Sequence, residues 1–130
     1  MVSLLIVSHS AQLAAGVKEF ADQVVGARVR IIAAGGTNDG QLGTSVDRIR
    51  AGLCELTSPD GILVLVDIGG AVLSVETAIE VAELSQALVK ISDAPLVEGA
   101  YLAAIEAATG ASLADTAQAA LQARELHKAL

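Results

Sequence analysis

His9 is the residue of this chain best placed to act as a nucleophile. It follows the short apolar run Ser3 to Val7 and Ser8, and it leads through Ser10 into a helical pattern of apolar residues. An imidazole at such a strand-to-helix turn has a ring nitrogen free to attack phosphorus. The N–H groups and positive dipole end of the following helix favour an anion at the same place. Asp67 closes a second apolar run, Ile62 to Val66, and opens the stretch Asp67-Ile68-Gly69-Gly70. A carboxylate there can accept a hydrogen bond from the other ring nitrogen, setting the tautomer and steadying the imidazolium. Its negative charge suits it to orienting the ring rather than to holding phosphate. Ser10, Gly35, Gly36, Thr37, Gly69, Gly70 and Ser74 complete the set, as groups that bind phosphate or let backbone approach it closely. Each has a plainer reading. A lone His near a strand end often serves a turn, an Asp there a helix cap, and a Gly-Gly pair an ordinary bend.

The other reactive side chains read as structural. His127 lies among Arg124, Glu125 and Lys128 on a final helix and reads as solvated surface. Glu76 and Glu98 fall in first turns of helices, where the macrodipole accounts for them. Cys54 shares an amphipathic stretch with Val46, Ile49 and Leu53 and reads as a small helix or core residue. A GxxxxGK[ST] loop is absent, and Gly35-Gly36-Thr37 does not fit GxGxxG. His9 has no His or Cys partner at metal-ligand spacing. Neither a metal nor any other cofactor is expected.

The elements that must position these residues follow from the hydrophobic pattern. Ser3 to Val7, Val29 to Ala33, Ile62 to Val66 and Ala87 to Ile91 are short continuous runs, the mark of strands buried on both faces. Between them the period becomes helical: Leu13, Val17, Phe20, Ala21 and Val24, then Val46, Ile49, Leu53 and Leu56, then Val75, Ile79 and Ala82. Pro95 suits the first position of a fourth helix with the face Val97, Tyr101, Ala104 and Ala108, closed by Gly110. Ser112 and Asp115 resemble a capping box that opens a final Ala-rich helix towards Leu130. The expectation is an α/β fold: one domain over residues 1–130, with a parallel sheet of about four strands and helices on both faces. The residues after its first three strands then converge on one edge, and Gly35 to Thr44 is a site loop.

Composition narrows the function classes. The net charge is −7, with 15 acidic against 8 basic residues, which leaves no basic patch for nucleic acid. The apolar runs fall far short of the ~20 residues that span a bilayer, and the N-terminus lacks the pattern of a secretory signal. One cysteine cannot form an internal disulfide, in keeping with a reducing, cytoplasmic setting.

Four ordered blocks carry a family resemblance. They are Leu5-Ile6-Val7-Ser8-His9-Ser10, the loop from Ala34 through Gly35-Gly36-Thr37-Asn38-Asp39-Gly40 to Ser45, Asp67 through Gly70 to Glu76, and Ala94-Pro95-Leu96-Val97-Glu98-Gly99. The chain resembles the phosphocarrier subunits of phosphoenolpyruvate-dependent dihydroxyacetone kinases, which are mannose-type IIA domains of the bacterial phosphotransferase system. The resemblance implies a phosphotransferase acting through a phosphohistidine at His9. The donor would be the small histidine phosphocarrier protein. The acceptor would be ADP held in the nucleotide-binding kinase subunit, with the dihydroxyacetone-binding subunit served indirectly and the carrier itself a homodimer. The isolated chain should then neither bind ATP nor phosphorylate dihydroxyacetone, and a chain stopping at Leu130 should rely on separate carriers. The docking rim would be Leu42, Gly43, Ile68 and Gly70. The family commonly has Ser where this chain has Gly70, so a backbone N–H, Ser10 or Ser74 would have to supply that contact. Other readings are a mannose-type sugar-transport domain, a tetrapyrrole metal chelatase and a non-catalytic regulatory module. A chelatase would need a second His or Glu across a cleft, and His127 is badly placed for that.

Overall fold

A computed structural model describes residues 1–129. Four strands, β1 (Ser3–Ser8), β2 (Ile31–Gly35), β3 (Ile62–Val66) and β4 (Val89–Ile91), form a parallel sheet in the order β2-β1-β3-β4. Helices α1 (Ala11–Val25), α4 (Leu96–Ala108) and α5 (Leu113–Leu121) cover one face; α2 (Val46–Leu56) and α3 (Gly70–Val81) cover the other. β1 and β3 lie in the middle, so every residue of both strands is buried. The period of two divides them cleanly between the cores. Leu4, Ile6, Leu63 and Leu65 enter the α1–α4–α5 core, whereas Leu5, Val7, Val64 and Val66 enter the α2–α3 core. This is why those segments read as unbroken apolar runs.

The chain leaves β1 towards β2 on one side and leaves β3 towards β4 on the other. The turns after β1 and β3 therefore part from each other, and a crevice opens between their carboxyl ends. His9 and Asp67 are the first residues beyond those two strands.

The α/β fold agrees with the sequence reading, with informative shifts at the edges. β2 starts two residues later than the run Val29 to Ala33 implies. Gly26, at φ 67°, ends α1, and a 3₁₀ turn over Gly26–Arg28 delays entry into the sheet. β4 starts at Val89 rather than Ala87 because Ser85 takes the preceding N–H groups: its hydroxyl accepts from Ala87 and its carbonyl from Leu88. Pro95 is not the first helical residue. It sits just outside α4 with an extended ψ of 137°, while its carbonyl already accepts from Gly99. Gly110, at φ 85°, follows the end of α4 as expected. Ser112 caps α5 through the Asp115 N–H at 3.1 Å, but α5 ends at Leu121 and a 3₁₀ turn at Glu125. His127 is exposed beyond that turn rather than on a helix, and Leu130 lies outside the described residues.

Helix phase is the larger correction. α1 buries Ala14, Val17, Ala21 and Val25, and leaves Leu13 and Phe20 exposed. α4 buries Leu96, Gly99, Ala100, Ala103, Ala104 and Ala107, and turns Val97 outwards. The helices press their smallest residues inward because the backbones approach too closely for larger ones. A Cβ added at Gly99 would lie 2.8 Å from the Ala94 Cβ and 3.2 Å from Leu65 Cδ2. Cys54 is likewise exposed rather than in the core, since it stands about 100° around α2 from buried Leu53. Among the described residues no helix is long and apolar enough to cross a membrane.

Candidate functional site

The site is assembled by hydrogen bonds that join the ends of β1 and β3. Ser8 is fully buried; its hydroxyl donates to Asp67 Oδ2 at 3.0 Å and accepts from the Ser10 N–H at 3.0 Å. The His9 backbone N–H donates to the same carboxylate oxygen at 2.9 Å. On the other oxygen, Asp67 Oδ1 accepts from the Ile68 N–H at 2.7 Å. The imidazole meets this carboxylate through Nδ1, 3.1 Å from Oδ1 and 3.2 Å from Oδ2.

That contact decides the tautomer. An ionised carboxylate can only accept, so Nδ1 must carry the proton, and a neutral ring then keeps its lone pair on Nε2. The ring is one-third exposed, whereas the Asp67 side chain is only 12% exposed. The imidazole thus reaches solvent while the carboxylate that holds it is largely enclosed.

Nε2 faces the start of α3. A Cβ built at Gly70 would lie 3.5 Å from Nε2, an ordinary van der Waals contact with nothing else but the ring within 4 Å. No side chain caps α3, and its N-cap residue Gly69 is itself in helical conformation. The Ala71 and Val72 N–H groups already donate to the Ile68 and Gly69 carbonyls at 3.1 Å, so it is the positive end of the helix dipole that favours an anion beside Nε2.

The remaining sequence candidates have distinct placements. Ser10 is committed to capping α1, with its hydroxyl accepting from the Leu13 N–H at 3.1 Å. Gly35 does not reach the ring; it makes room for α1, since a Cβ there would lie 2.5 Å from the Ser10 carbonyl oxygen and 2.8 Å from Ala11 Cα. Gly36, at φ 73°, turns the chain out of β2 into the loop. Thr37 closes that loop on itself, donating to Asp39 Oδ1 at 2.5 Å and accepting from the Gln41 N–H at 2.9 Å. Ser74 pairs with Thr44, hydroxyl to hydroxyl at 2.6 Å. The geometry thus gathers His9, Asp67 and Gly70, with Ser74 one helical turn beyond. It turns Ser10 and Thr37 to local backbone work instead.

Two residues escaped the sequence reading. Ser8 holds Asp67 in place; the signal was a hydroxyl ending an otherwise apolar strand. Thr44 joins the loop to α3, with no local signal beyond its place after Gly43. That glycine's N–H donates to the His9 carbonyl at 2.8 Å, so the loop is pinned to the His9 backbone. Beside Asp67 a cleft of about 620 Å³ runs past Ile68 and Gly69 to Asp93 and Arg124, which form an ion pair. Among the described residues no three His, Cys, Asp or Glu side chains gather as a metal site would require.

Residues 3–117 match the family model described as PTS system fructose IIA component. Phosphoryl donor subunit DhaM of PEP-dependent dihydroxyacetone kinase 2 from Listeria innocua is 44% identical over 108 residues, covering 82% of this chain and 86% of that protein. The DhaM subunit of Escherichia coli (strain K12) is 40% identical over 117 residues, covering 87% of this chain. This chain spans only about a quarter of the length of that protein and of its Klebsiella michiganensis counterpart. Among solved structures, a protein of unknown function superposes with a TM-score of 0.79 at 35% identity, covering 92% of both chains. The phosphotransferase system component EIIA from Streptococcus agalactiae superposes with a TM-score of 0.70 at 19% identity, over 96% of this chain and 93% of that one, a likeness of fold alone.

Asp67 is also the group through which acid should reach the site. Burial alone would raise its pKa. The His9 N–H, the His9 ring, the Ile68 N–H and the Ser8 hydroxyl outweigh that, so the carboxyl sits below its ordinary 3.8. Between that lowered value and 3.8 the unfolded chain binds a proton and the folded chain does not, so stability falls with pH there. Asp67→Asn cannot titrate, and in urea unfolding its stability should fall less steeply below about pH 4 than that of the unaltered chain. Equal slopes would show that the carboxylate gains nothing from its donors.

Proposed function

Because the chain belongs to the family of PTS system fructose IIA components and stands alongside the DhaM subunits, we propose that it is a phosphoryl donor subunit of a dihydroxyacetone kinase that carries its phosphoryl group on His9. The observation that carries this reading is the His9–Asp67 contact at 3.1 Å, which leaves Nε2 as the free nucleophile facing the uncapped start of α3. In the first step the Nε2 lone pair forms a bond to the phosphorus of the phosphohistidine on the small histidine phosphocarrier, and the donor's own N–P bond breaks. Positive charge then develops on the His9 ring, and Asp67 offsets it through the Nδ1 proton. In the second step a terminal oxygen of ADP, bound in the nucleotide-binding kinase subunit, takes the phosphoryl group. The N–P bond at His9 breaks and the ring returns to its starting tautomer. The ATP so formed phosphorylates dihydroxyacetone on the third subunit. A hydrogen bond to a charged group contributes about 1.5–3 kcal/mol, so removing the Asp67 carboxylate would slow transfer by roughly 10²-fold.

Support for docking comes from the surroundings of His9. Leu42, Ile68 and Leu73 are exposed around it, at 81%, 63% and 71%. Asp39, Asp47, Glu76 and Asp93 are exposed as well, and the chain carries a net charge of −7. Partners with apolar centres and cationic rims fit that combination.

The homodimer belongs to the same proposal. The Ala-rich α5 spends Ala117 and Ala120 inside the fold. A further set of exposed apolar residues lies on α1 and α4, where Leu13, Phe20, Val97 and Ile105 are exposed and Phe20 stacks on Tyr101 with ring centroids 5.7 Å apart. Sedimentation should give a dimer for the unaltered chain and a monomer for Phe20→Glu. A monomer for both at high micromolar concentration would remove the dimer from this account.

The carrier reading is tested by incubating the chain with phosphoenolpyruvate, the general carrier enzyme and the small histidine carrier. Intact mass should show one phosphate, labile in acid and stable in base, absent from His9→Ala and present in His127→Ala. Label on His9 should pass into ATP only when the ADP-loaded kinase subunit is added. A phosphate retained by His9→Ala would overturn the assignment.

A further inference from the structure

The hydroxyl pair Thr44–Ser74 is bonded differently from the hydroxyls of Thr57, Thr77 and Thr109. Thr57 and Thr77 donate to the carbonyl four residues back, at Leu53 and Leu73, and Thr109 donates to Glu106. Those protons are spent on the helix itself. Thr44 Oγ1 and Ser74 Oγ instead meet each other at 2.6 Å, both partly buried, across the gap between the loop and α3. Two hydroxyls hold two protons, and one bond between them uses only one. The pair therefore keeps a proton to give to a third group, and a phosphoryl group is a strong acceptor with no proton to offer in return.

The pair is tied to both segments that border His9. Thr44 directly follows Gly43, whose N–H is bonded to the His9 carbonyl at 2.8 Å. Ser74 lies four residues after Gly70, hence on the same face of α3 and about 6 Å further along its axis. That face meets Nε2, since a Cβ at Gly70 would be 3.5 Å away. Because Gly70 has no side chain, the space beside Nε2 is left open to a group attached there. The hydroxyl pair lies one helical turn along α3 from that space.

We propose that Thr44, coupled to Ser74, donates a hydrogen bond to a phosphoryl group on His9 Nε2 and so supplies the hydroxyl contact that Gly70 cannot make. The proposal rests on His9 being the phosphorylated residue. Ser74 without Thr44, or Thr44 without Ser74, leaves the donor unsteadied, so the two act as one unit.

The test measures the rate of phosphoryl transfer to and from the chain, using the phosphorylated small histidine carrier. Thr44→Val keeps the shape and removes the hydroxyl, and it should slow transfer about tenfold, the scale of one charge-assisted hydrogen bond. Thr44→Ser should stay near the unaltered rate. Ser74→Ala should also slow transfer, and the double variant should be no slower than the worse single one. Gly70→Ser places a hydroxyl directly against Nε2, and added to Thr44→Val it should restore the rate. A merely structural role for Thr44 would not respond to that rescue. Unaltered transfer by both Thr44→Val and Ser74→Ala would overturn the proposal. If Thr44→Val does not fold, unaltered transfer by Ser74→Ala overturns it alone. Failure of the unaltered chain to take phosphate would instead remove the carrier reading beneath it.

Discussion

The Asp67 carboxylate is the point on which the site hangs. Its two oxygens gather the Ser8 hydroxyl, the backbone N–H groups of His9 and Ile68, and the His9 ring. Four donors on one largely buried anion do two jobs together. They hold the carboxyl ionised against the cost of burial, and they clamp the turn after β1 to the turn after β3. The imidazole orientation follows from the second job, because the same oxygens that fix the His9 backbone also receive its Nδ1 proton. A ring held at both backbone and side chain has few ways to turn, so little ordering is left to do when a partner arrives.

Close packing around the clamp is what makes it possible. Gly35 lets the first turn of α1 sit directly on the end of β2, where any side chain would meet the Ser10 carbonyl oxygen at 2.5 Å. Gly70 lets the start of α3 approach Nε2 with open space between. The parallel sheet supplies the rest, since its order parts the β1 and β3 connections and leaves a crevice at their ends. On the proposed function, the net charge of −7 and the anionic clamp would leave the charge of a phosphoryl group on His9 to the α3 dipole and to cationic groups on partners. In that role the division would help, since binding the group too tightly would slow its departure.

Much of this was legible in the residues, and the limits have physical causes. β1 and β3 were plain because both faces of a central parallel strand are buried, so Leu4 to Val7 and Ile62 to Val66 have no polar interruption. β2 and β4 are edge strands entered through turns. A 3₁₀ segment before Ile31 and the Ser85 turn before Val89 shortened each by borrowing N–H groups that apolar patterning does not reveal. The faces of α1 and α4 were misjudged for a different reason. Hydrophobicity ranks Leu13 and Phe20 above Ala14, but the inward face is chosen by which residues are small enough for close backbone approach. His9 and Asp67 stood out by type and by place after a strand. Ser8 and Thr44 did not, because a serine or threonine gains meaning only from a partner far away in sequence, 59 residues away for Ser8 and 30 for Thr44.

The central claim is that Asp67 fixes the proton on Nδ1 and frees Nε2. It can be tested by nitrogen NMR of the imidazole in the unphosphorylated chain, at a pH where the ring is neutral. The account predicts a protonated Nδ1 and an unprotonated Nε2 in the unaltered chain, with the two tautomers mixing when Asp67 is replaced by alanine. A ring with its proton on Nε2 in the unaltered chain would contradict it.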